Sequence, residues 1–125
     1  MRRAAVLMAL AGACAVPVAM AQSYPSKPVR IINPYAAGGG MDFLIRPIAQ
    51  KMGESMKGTF VIDNRAGANG NIAYEMTARA VPDGYTFTAV AAGVAINHGL
   101  YREVKYDPVK DLAAITQGIS VPNIL

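Results

Sequence analysis

The sequence predicts an α/β domain built on a parallel β-sheet. Two observations support this prediction. Short β-branched runs alternate along the chain with longer segments whose apolar residues recur at helical spacing. The first two such runs are each followed by a glycine-bearing loop before the next helical segment starts. The order strand, loop, helix, repeated and then followed by a strand, is typical of right-handed βαβ units.

The first 21 residues are predicted to be a cleavable secretory signal peptide. Arg2 and Arg3 give a basic start, residues 4–16 are almost wholly apolar, and Ala19-Met20-Ala21 provides a small-x-small end. The apolar run is too short to cross a membrane. An apolar helix of a cytosolic protein is the alternative, which the lack of polar and apolar alternation disfavours. Cleavage after Ala21 leaves a mature chain of residues 22–125.

Charge and cysteine content exclude several classes of function. The chain has 12 Lys and Arg against 8 Asp and Glu. Loss of the signal peptide removes two arginines, so the mature part has ten basic and eight acidic residues and a net charge of about +2. No nucleic-acid partner is therefore predicted. The single cysteine, Cys14, lies in the signal peptide, so the mature part has no disulfide and no thiolate metal site. Residues 11–14 faintly resemble a lipoprotein box, so lipidation at Cys14 is the alternative to cleavage after Ala21.

The first βα unit lies near the start of the mature chain. Val29–Ile32 is a β-branched run that predicts a buried strand. The loop 34–40 follows, and from Asp42 the apolar positions recur at helical spacing as far as Lys57-Gly58, which predicts an amphipathic helix with a glycine stop. Pro47 falls about one turn inside this helix, where it is tolerated better than in the middle.

A second unit and a third strand follow. Residues 60–62 predict a strand, the loop 66–70 leads into a helix over 72–80, and Pro82-Asp83-Gly84 is a turn signal. The third strand is predicted at Tyr85–Val90.

The rest of the chain is less regular. A short segment reaches Leu100, a polar stretch follows, and the last apolar run spans Leu112–Ile119. The chain stops at residues 121–125 on apolar residues, which predicts a truncated or partial chain.

The two glycine-bearing loops are the best candidates for a binding site. Glycine permits positive φ and close approach of the backbone, while the free N–H groups and dipole of a helix start favour an anion. The loops 36–40 and 66–71 follow neighbouring strands, so we predict an anion site at the carboxyl edge of the sheet. Asp42, at the head of the first helix, is predicted to cap that helix or complement its dipole.

A dinucleotide-binding enzyme is the main alternative. Gly38-x-Gly40 follows the first strand and Asp63 ends the second, where a ribose-binding acid belongs. The fingerprint fails at its third glycine, which is Phe43. The single histidine, His98, has no ligand partner at metal spacing. No Gly-Lys-Ser/Thr phosphate loop and no Gly-x-Ser-x-Gly elbow is present, so no catalytic residue, metal site or cofactor is predicted.

Seven segments of the mature chain match one family pattern. They are 24–32, 34–42, 64–72, 82–86, 95–97, 106–112 and 120–123. Together they closely resemble the substrate-binding receptors of the tripartite tricarboxylate transporters, in order and over the whole mature chain.

The resemblance implies a two-lobed fold of the periplasmic binding protein type II class, with residues 22–125 as part of the parallel-sheet first lobe, truncated before the second lobe. It implies a periplasmic receptor that is not an enzyme, is a monomer when full length, and delivers a small organic acid to membrane transporter subunits. The expected ligand is a di- or tricarboxylate. An exported α/β enzyme that uses the glycine loop for a phosphate or nucleotide, and an inert fragment, are the alternatives.

Three loops line the ligand cleft by the family pattern. The residues implied are Tyr35, Ala36, Ala37, Gly38, Gly39, Gly40 and Asp42 in the first, Ala66, Gly67, Gly70 and Asn71 in the second, and Ala92 and Asn97 in the third. Because Arg65 is the only basic residue near either glycine loop in the sequence, backbone N–H groups are expected to hold the carboxylate. A side chain at Gly39 is expected to strain a positive φ or to intrude on the ligand.

Four positions depart from the family pattern. Met41 stands where Thr or Ser is usual, Ala66 replaces Pro, Asn69 replaces Gly, and His98 replaces Pro. Met41 has no hydroxyl to cap a helix or bind a ligand. An altered ligand preference and a decayed gene copy both stay open.

Overall fold

The structure, a computed structural model, describes residues 23–120. Its helices and strands are β1 (Val29–Asn33), α1 (Gly40–Met56), β2 (Phe60–Asn64), α2 (Asn71–Ala78), β3 (Thr86–Thr88) and α3 (Gly93–Leu100). A short 3-10 helix, Ala68–Gly70, leads directly into α2. The predicted signal peptide with Cys14 and the last five residues lie outside the described range.

The three strands form one parallel sheet in the order β2-β1-β3. This confirms the predicted α/β class with a parallel sheet. Ile31 of β1 lies opposite Ile62 of β2 and Phe87 of β3. The chain runs outward from β1 to β2 and then crosses back over β1 to β3, so the strand order reverses beside β1. In open α/β sheets, such a reversal leaves a crevice at the carboxyl ends of the strands, where ligands bind.

Helix α1 covers one face of the sheet. Ile31 is buried there with Ile45 and Ala49 of α1. Phe60, Ile62 and other partly buried residues pack around this cluster. The helix meets the sheet through positions four apart, which lie on one helical face.

Helix α2 covers the opposite face. Alternation along β1 directs Arg30 and Ile32 to this side. The Arg30 guanidinium donates to the Asp63 carboxylate at 2.8 Å and to the sulfur of Met76 in α2 at 3.2 Å. Ile32 and Tyr74 are fully buried. The two helices therefore enclose β1 from both sides, as expected for a doubly covered parallel sheet.

The boundaries of α1 differ from the prediction at both ends. The helix begins at Gly40, two residues before Asp42, and runs through Pro47 without a break. At its carboxyl end the left-handed residue is Lys57, with φ 51°, rather than the glycine that follows. Gly58 is required for space instead, because a Cβ there would overlap the Pro25 ring.

The segments after α2 also differ from the prediction. Strand β3 spans three residues rather than six, and within the described range it pairs only with β1. Residues 101–120 contain no helix or strand. Ile115 and Ile119 in the predicted last apolar run are 72% and 52% exposed. None of the helices in the described range combines the length and the apolar character that crossing a membrane requires.

Polar contacts hold the start of the described chain against the amino-terminal edge of the sheet. The Tyr24 hydroxyl donates to the Gly84 carbonyl at 2.6 Å. Lys27 pairs with Asp83 at 2.8 Å and lies 4.4 Å from the centre of the Tyr85 ring. These contacts join the segment before β1 to the turn before β3, which holds the amino ends of the two strands together.

Candidate ligand-binding site

All three helices begin at the carboxyl edge of the sheet without a capping side chain. The N-cap residues are Gly39 for α1, Gly70 for α2 and Ala92 for α3, and no side chain bonds to a helix-start N–H at any of them. Ser, Thr, Asp and Asn are preferred at this position because their side-chain oxygens accept such a bond. At α1 this leaves helix-start donors open toward an external anion. At α2 the Asn71 N–H donates to the Ala68 carbonyl, and at α3 the Val94 and Ala95 N–H groups donate to the Ala91 and Ala92 carbonyls.

The first loop presents open backbone donors at the start of α1. No group in residues 23–120 accepts a hydrogen bond from the N–H of Gly40 or Met41. By contrast, the Gly39 N–H donates to the Ala36 carbonyl at 3.2 Å, and the Phe43 N–H donates to the Gly39 carbonyl at 3.0 Å. The open donors are therefore confined to the first turn of the helix, where the dipole is most positive.

Only one of the three consecutive glycines has a left-handed conformation. Gly38 has φ 77°, whereas Gly39 has φ −77°. The positive φ expected at Gly39 is therefore wrong, whereas the alternative expectation, that a side chain there intrudes on the ligand, stays a prediction. A Cβ on Gly39 would lie 3.2 Å from the Ala36 carbonyl oxygen, a tight contact but not a conformational conflict. The turn depends on Gly38, since residues with a Cβ adopt its left-handed conformation only at a cost.

Asp42 supports this loop from behind. The residue is 2% exposed. One oxygen accepts from the Gly38 N–H at 2.9 Å and the Arg46 guanidinium at 2.7 Å, and the other accepts from the Asn64 amide at 3.1 Å. The Arg46 guanidinium, followed by these two donors, holds the pKa of Asp42 well below its usual range. The ionised carboxylate thus fixes Gly38 while its acceptors are used within the protein.

Three supporting residues were missed in the sequence. Asn33 accepts the Tyr35 N–H at 3.2 Å, and Asn64 donates to the Tyr35 carbonyl at 3.2 Å. Arg46 pairs with Asp42 one helical turn away. Two signals were available: an Asn at a strand end favours a side-chain turn, and Asp followed by Arg at i+4 favours an ion pair on a helix.

The second loop has an unusual backbone. Four successive residues, Gly67, Ala68, Asn69 and Gly70, have φ values of 142°, 46°, 52° and 92°. Ala68 carries a conformational cost of about 1–2 kcal/mol in this region, whereas Asn visits it more readily. Gly70 is also required for space, because a Cβ there would lie 2.8 Å from the ring of Tyr74.

Buried amides join the second loop to α3. Asn97 is fully buried. Its oxygen accepts from the Asn69 amide at 2.8 Å, and its own amide donates to the Asn69 carbonyl at 3.1 Å and to the Asn71 side-chain oxygen at 2.7 Å. The helix approaches closely because it starts with Gly93, where a Cβ would lie 2.8 Å from the Asn69 carbonyl oxygen.

Tyr74 connects the second loop to the third. Its ring lies against Gly70, and its hydroxyl accepts the Ala91 N–H at 3.4 Å. Burial, with a smaller effect of nearby Tyr35, raises the pKa of Tyr74 to about 12. The hydroxyl is therefore neutral at physiological pH and serves as a fixed hydrogen-bonding group between the loops.

The sequence-predicted site residues separate into two groups by burial. Those that are exposed or half-buried at the edge are Tyr35, Ala36, Ala37, Gly38, Gly39, Gly40, Ala66, Gly67 and Ala92. Those that are buried are Asp42, Gly70, Asn71 and Asn97. The first group offers mainly backbone to a ligand, and the side chains of Asp42, Asn71 and Asn97 bond within the protein.

Asp63 does not have the environment of a ribose-binding acid. Arg30 bonds to one of its oxygens and Arg65 bonds to the other at 2.9 Å. Both acceptors therefore face cations of the protein, which removes the acid that a dinucleotide site would need at this strand end. In the part of the chain that the structure describes, no three His, Cys, Asp or Glu side chains lie together as a metal site.

The chain is similar in sequence to several known proteins. The sequence model of one protein family, the tripartite tricarboxylate transporter family receptor, matches residues 44–125. A curated relative from Agrobacterium vitis, the UPF0065 protein in the TAR-I ttuE-ttuC' intergenic region, is 39% identical over 106 residues, which are 84% of this chain and 31% of the relative. Protein BugT of Bordetella pertussis is 34% identical over 122 residues, which are 96% of this chain and 37% of BugT.

Solved structures show the same fold. The R. palustris protein Rpa4515 with adipate has a TM-score of 0.66 and 41% identity over 69% of this chain. The periplasmic binding protein BugD has a TM-score of 0.67 and 38% identity over 70% of this chain. MatC from Rhodopseudomonas palustris with bound malate has a TM-score of 0.61 and 32% identity over 70% of this chain. The matched parts are 29%, 29% and 30% of those structures.

The present chain thus spans about a third of the length of the relatives it matches. Over the matched part, the fold is similar to that of the periplasmic binding protein BugD. The chain belongs to the tripartite tricarboxylate transporter receptor family.

Proposed function

We propose that this chain supplies the carboxylate-holding loops of a periplasmic receptor for a small organic acid. The receptor delivers that acid to a tripartite tricarboxylate transporter in the membrane. The ligand is a dicarboxylate or tricarboxylate, and one carboxylate lies against the starts of α1 and α2. The chain acts in the periplasm, as the periplasmic binding proteins among its structural neighbours do, and the full-length receptor is a monomer.

The observation that carries the proposal is the open start of α1. The N–H groups of Gly40 and Met41 have no acceptor within residues 23–120. An anion at this position gains both hydrogen bonds and the favourable potential of the helix dipole. The chain needs no hydroxyl at residue 41 for this role, because the donor is the backbone of Met41. Two structural neighbours, which are 41% and 32% identical to this chain, hold adipate and malate, which supports a carboxylate as the anion.

The charges around the loops favour recognition by backbone rather than by ion pairing. Arg46 is engaged with Asp42, and Arg65 is engaged with Asp63. Neither guanidinium is therefore free of a carboxylate partner. A ligand carboxylate would meet neutral N–H groups, which suits reversible binding and release by a transport receptor.

A chimera tests the proposal. Residues 22–125 replace the corresponding segment of the adipate-binding R. palustris protein, and the product is titrated by calorimetry with adipate and malate. Adipamide, which has the length of adipate without its negative charges, is the matched control. We expect heat of binding with at least one dicarboxylate and none with adipamide. Nucleotides and inorganic phosphate are titrated in parallel, because they test the enzyme alternative.

Two results would contradict the proposal. One is a chimera that unfolds cooperatively on heating yet binds neither adipate nor malate. The other is equal binding of adipate and adipamide, which would mean that negative charge contributes nothing to recognition.

A further inference from the structure

Tyr106 is buried although the segment around it contains no helix or strand. It is 4% exposed. Its ring packs edge-on against Tyr74 at 5.7 Å and against His98 at 5.4 Å between ring centres. The His98 Nε2 atom lies 2.9 Å from the Tyr106 carbonyl oxygen. Two residues, Tyr74 and His98, therefore hold it, while Lys105 beside it is exposed and Asp107 is half-buried.

The Tyr106 hydroxyl lies at the end of the buried amide cluster. It is 3.2 Å from the side-chain oxygen of Asn71 and 3.1 Å from the Val94 carbonyl oxygen. The same Asn71 oxygen accepts the amide of Asn97, which in turn bonds to both the side chain and the carbonyl of Asn69. The hydroxyl thus belongs to a continuous set of hydrogen bonds that ends in the second loop.

The backbone of this loop needs external support. Its four positive φ values include two residues other than glycine, Ala68 and Asn69. Such conformations persist only when their surroundings hold them. Within the described residues, the Asn97 side chain bonds to Asn69. The Tyr106 hydroxyl bonds to the side-chain oxygen of Asn71, which also accepts from the Asn97 amide.

We propose that Tyr106 is a positioning residue for the second glycine loop, residues 66–71. Through Asn71 and Asn97, its hydroxyl sets the backbone of that loop and hence the direction of the N–H groups at the start of α2. The effect on ligand binding rests on the proposed function, since the ligand is taken to meet this loop. Tyr106 does not touch the ligand in this scheme.

Tyr106→Phe tests the role, because it removes the hydroxyl and keeps the ring. Tyr101→Phe is the matched control, since Tyr101 is 38% exposed and its hydroxyl makes no hydrogen bond within the described residues. Amide hydrogen exchange is measured on the complete chain. The reporters are the Gly70 N–H, which bonds to Gly67, and the Asn71 N–H, which bonds to Ala68.

We expect exchange at Gly70 and Asn71 to be about tenfold faster in Tyr106→Phe, as loss of one buried hydrogen bond predicts. Exchange in β1 is expected to stay as in the unchanged chain, and Tyr101→Phe is expected to alter neither. Unchanged exchange at Gly70 and Asn71 would overturn the proposal. Equal acceleration in β1 would also overturn it, because the hydroxyl would then contribute only to overall stability.

The chimera adds a second readout. Tyr106→Phe is expected to weaken adipate binding about tenfold while Tyr101→Phe leaves it unchanged. A chimera that binds adipate equally well with either residue at 106 would contradict the positioning role. If the chimera binds no carboxylate at all, the proposed function fails, and the exchange measurement alone decides the role of Tyr106.

Discussion

The carboxylate of Asp42 lies 2.9 Å from the backbone nitrogen of Gly38 and accepts its hydrogen. This bond runs backward from the first turn of α1 to the residue before its N-cap, much as the acidic residue of a capping box does. Asp42 therefore shapes the entry of the chain into α1 without covering the N–H groups of Gly40 and Met41. A single buried charge holds the loop, and the helix start stays open.

Replacing Asp42 with Asn is expected to weaken binding of adipate by the chimera about tenfold or more, because hydrogen bonds to an ionised group are the stronger kind. The matched control is Glu54→Gln, which changes an exposed carboxylate at the far end of α1. Calorimetric titration of both variants provides the measurement. Equal affinities for Asp42→Asn and the unchanged protein would show that the ionised Asp42 does not hold the loop.

The stability of the chain is expected to depend on pH through Asp42. The pKa of its carboxyl is lowered in the folded chain relative to an ordinary value of about 3.9. The contribution is then fully present above the ordinary value and is lost as the pH falls through the folded one. Denaturant titrations are carried out from pH 7 to pH 2. As the pH falls, the free energy of unfolding should decrease less for Asp42→Asn than for the unchanged chain. Parallel curves for the two proteins would refute this assignment.

Gly38→Ala and Gly40→Ala form a matched pair. A Cβ at either position meets no atom within 4 Å, but only Gly38 has a positive φ. We expect Gly38→Ala to lower the free energy of unfolding by about 1–2 kcal/mol because of its left-handed backbone. Gly40→Ala, in the first turn of a helix, is expected to leave it unchanged or raise it by up to about 1 kcal/mol. Equal effects in urea titrations would contradict the assigned conformation of the loop.

Gly93 and Gly99 provide a second matched pair within α3. A Cβ at Gly93 would meet the Asn69 carbonyl oxygen at 2.8 Å, whereas one at Gly99 would meet nothing within 4 Å. Gly93→Ala is expected to destabilise the chain by about 1–3 kcal/mol through overpacking. Gly99→Ala is expected to stabilise it by up to about 1 kcal/mol. Thermal unfolding of the two variants checks this. A Gly93→Ala chain as stable as the unchanged chain would show that α3 does not pack closely against the second loop.

Arg65→Ala is expected to have a small effect. Its guanidinium is about half exposed and bonds to Asp63 at 2.9 Å, so the loss of unfolding free energy should be below about 1 kcal/mol. Adipate affinity of the chimera should fall by less than about fivefold, which corresponds to the same energy. If Arg65→Ala abolishes adipate binding while Gly38→Ala leaves it intact, backbone N–H groups are not the main contacts to the carboxylate.

Much of the fold follows from local pattern. The β-branched run at β1, the helical spacing of α1 and the turn residues before β3 each express a backbone preference or a periodicity that neighbouring residues carry by themselves. The position of the two glycine loops follows from the same units, because a loop after a parallel strand lies at the carboxyl edge of the sheet. Those elements were therefore predicted, to within a few residues at their ends.

The sequence pattern did not predict which polar side chains of the site face the cleft and which are bonded within the protein. Asp42, Asn71 and Asn97 were expected to line the cleft, yet their side chains are buried and bonded to protein groups. Tyr106 is 35 residues from Asn71 in sequence and contacts it only in the folded chain. Side-chain partners at such separations depend on how the helices pack, which no local period encodes.

By itself, the sequence determined that strands and helices alternate, that two glycine-bearing loops meet at one edge, and that no capping hydroxyl stands at the start of α1. These properties depend on residue type and short spacing. Only the tertiary structure decided which glycine takes the left-handed turn and which polar side chains support the loops rather than face the ligand. The physical reason is that backbone angles at a loop and the burial of a side chain are set by contacts between segments far apart in the chain. Asn97 is hidden because Gly93 lets α3 approach Asn69.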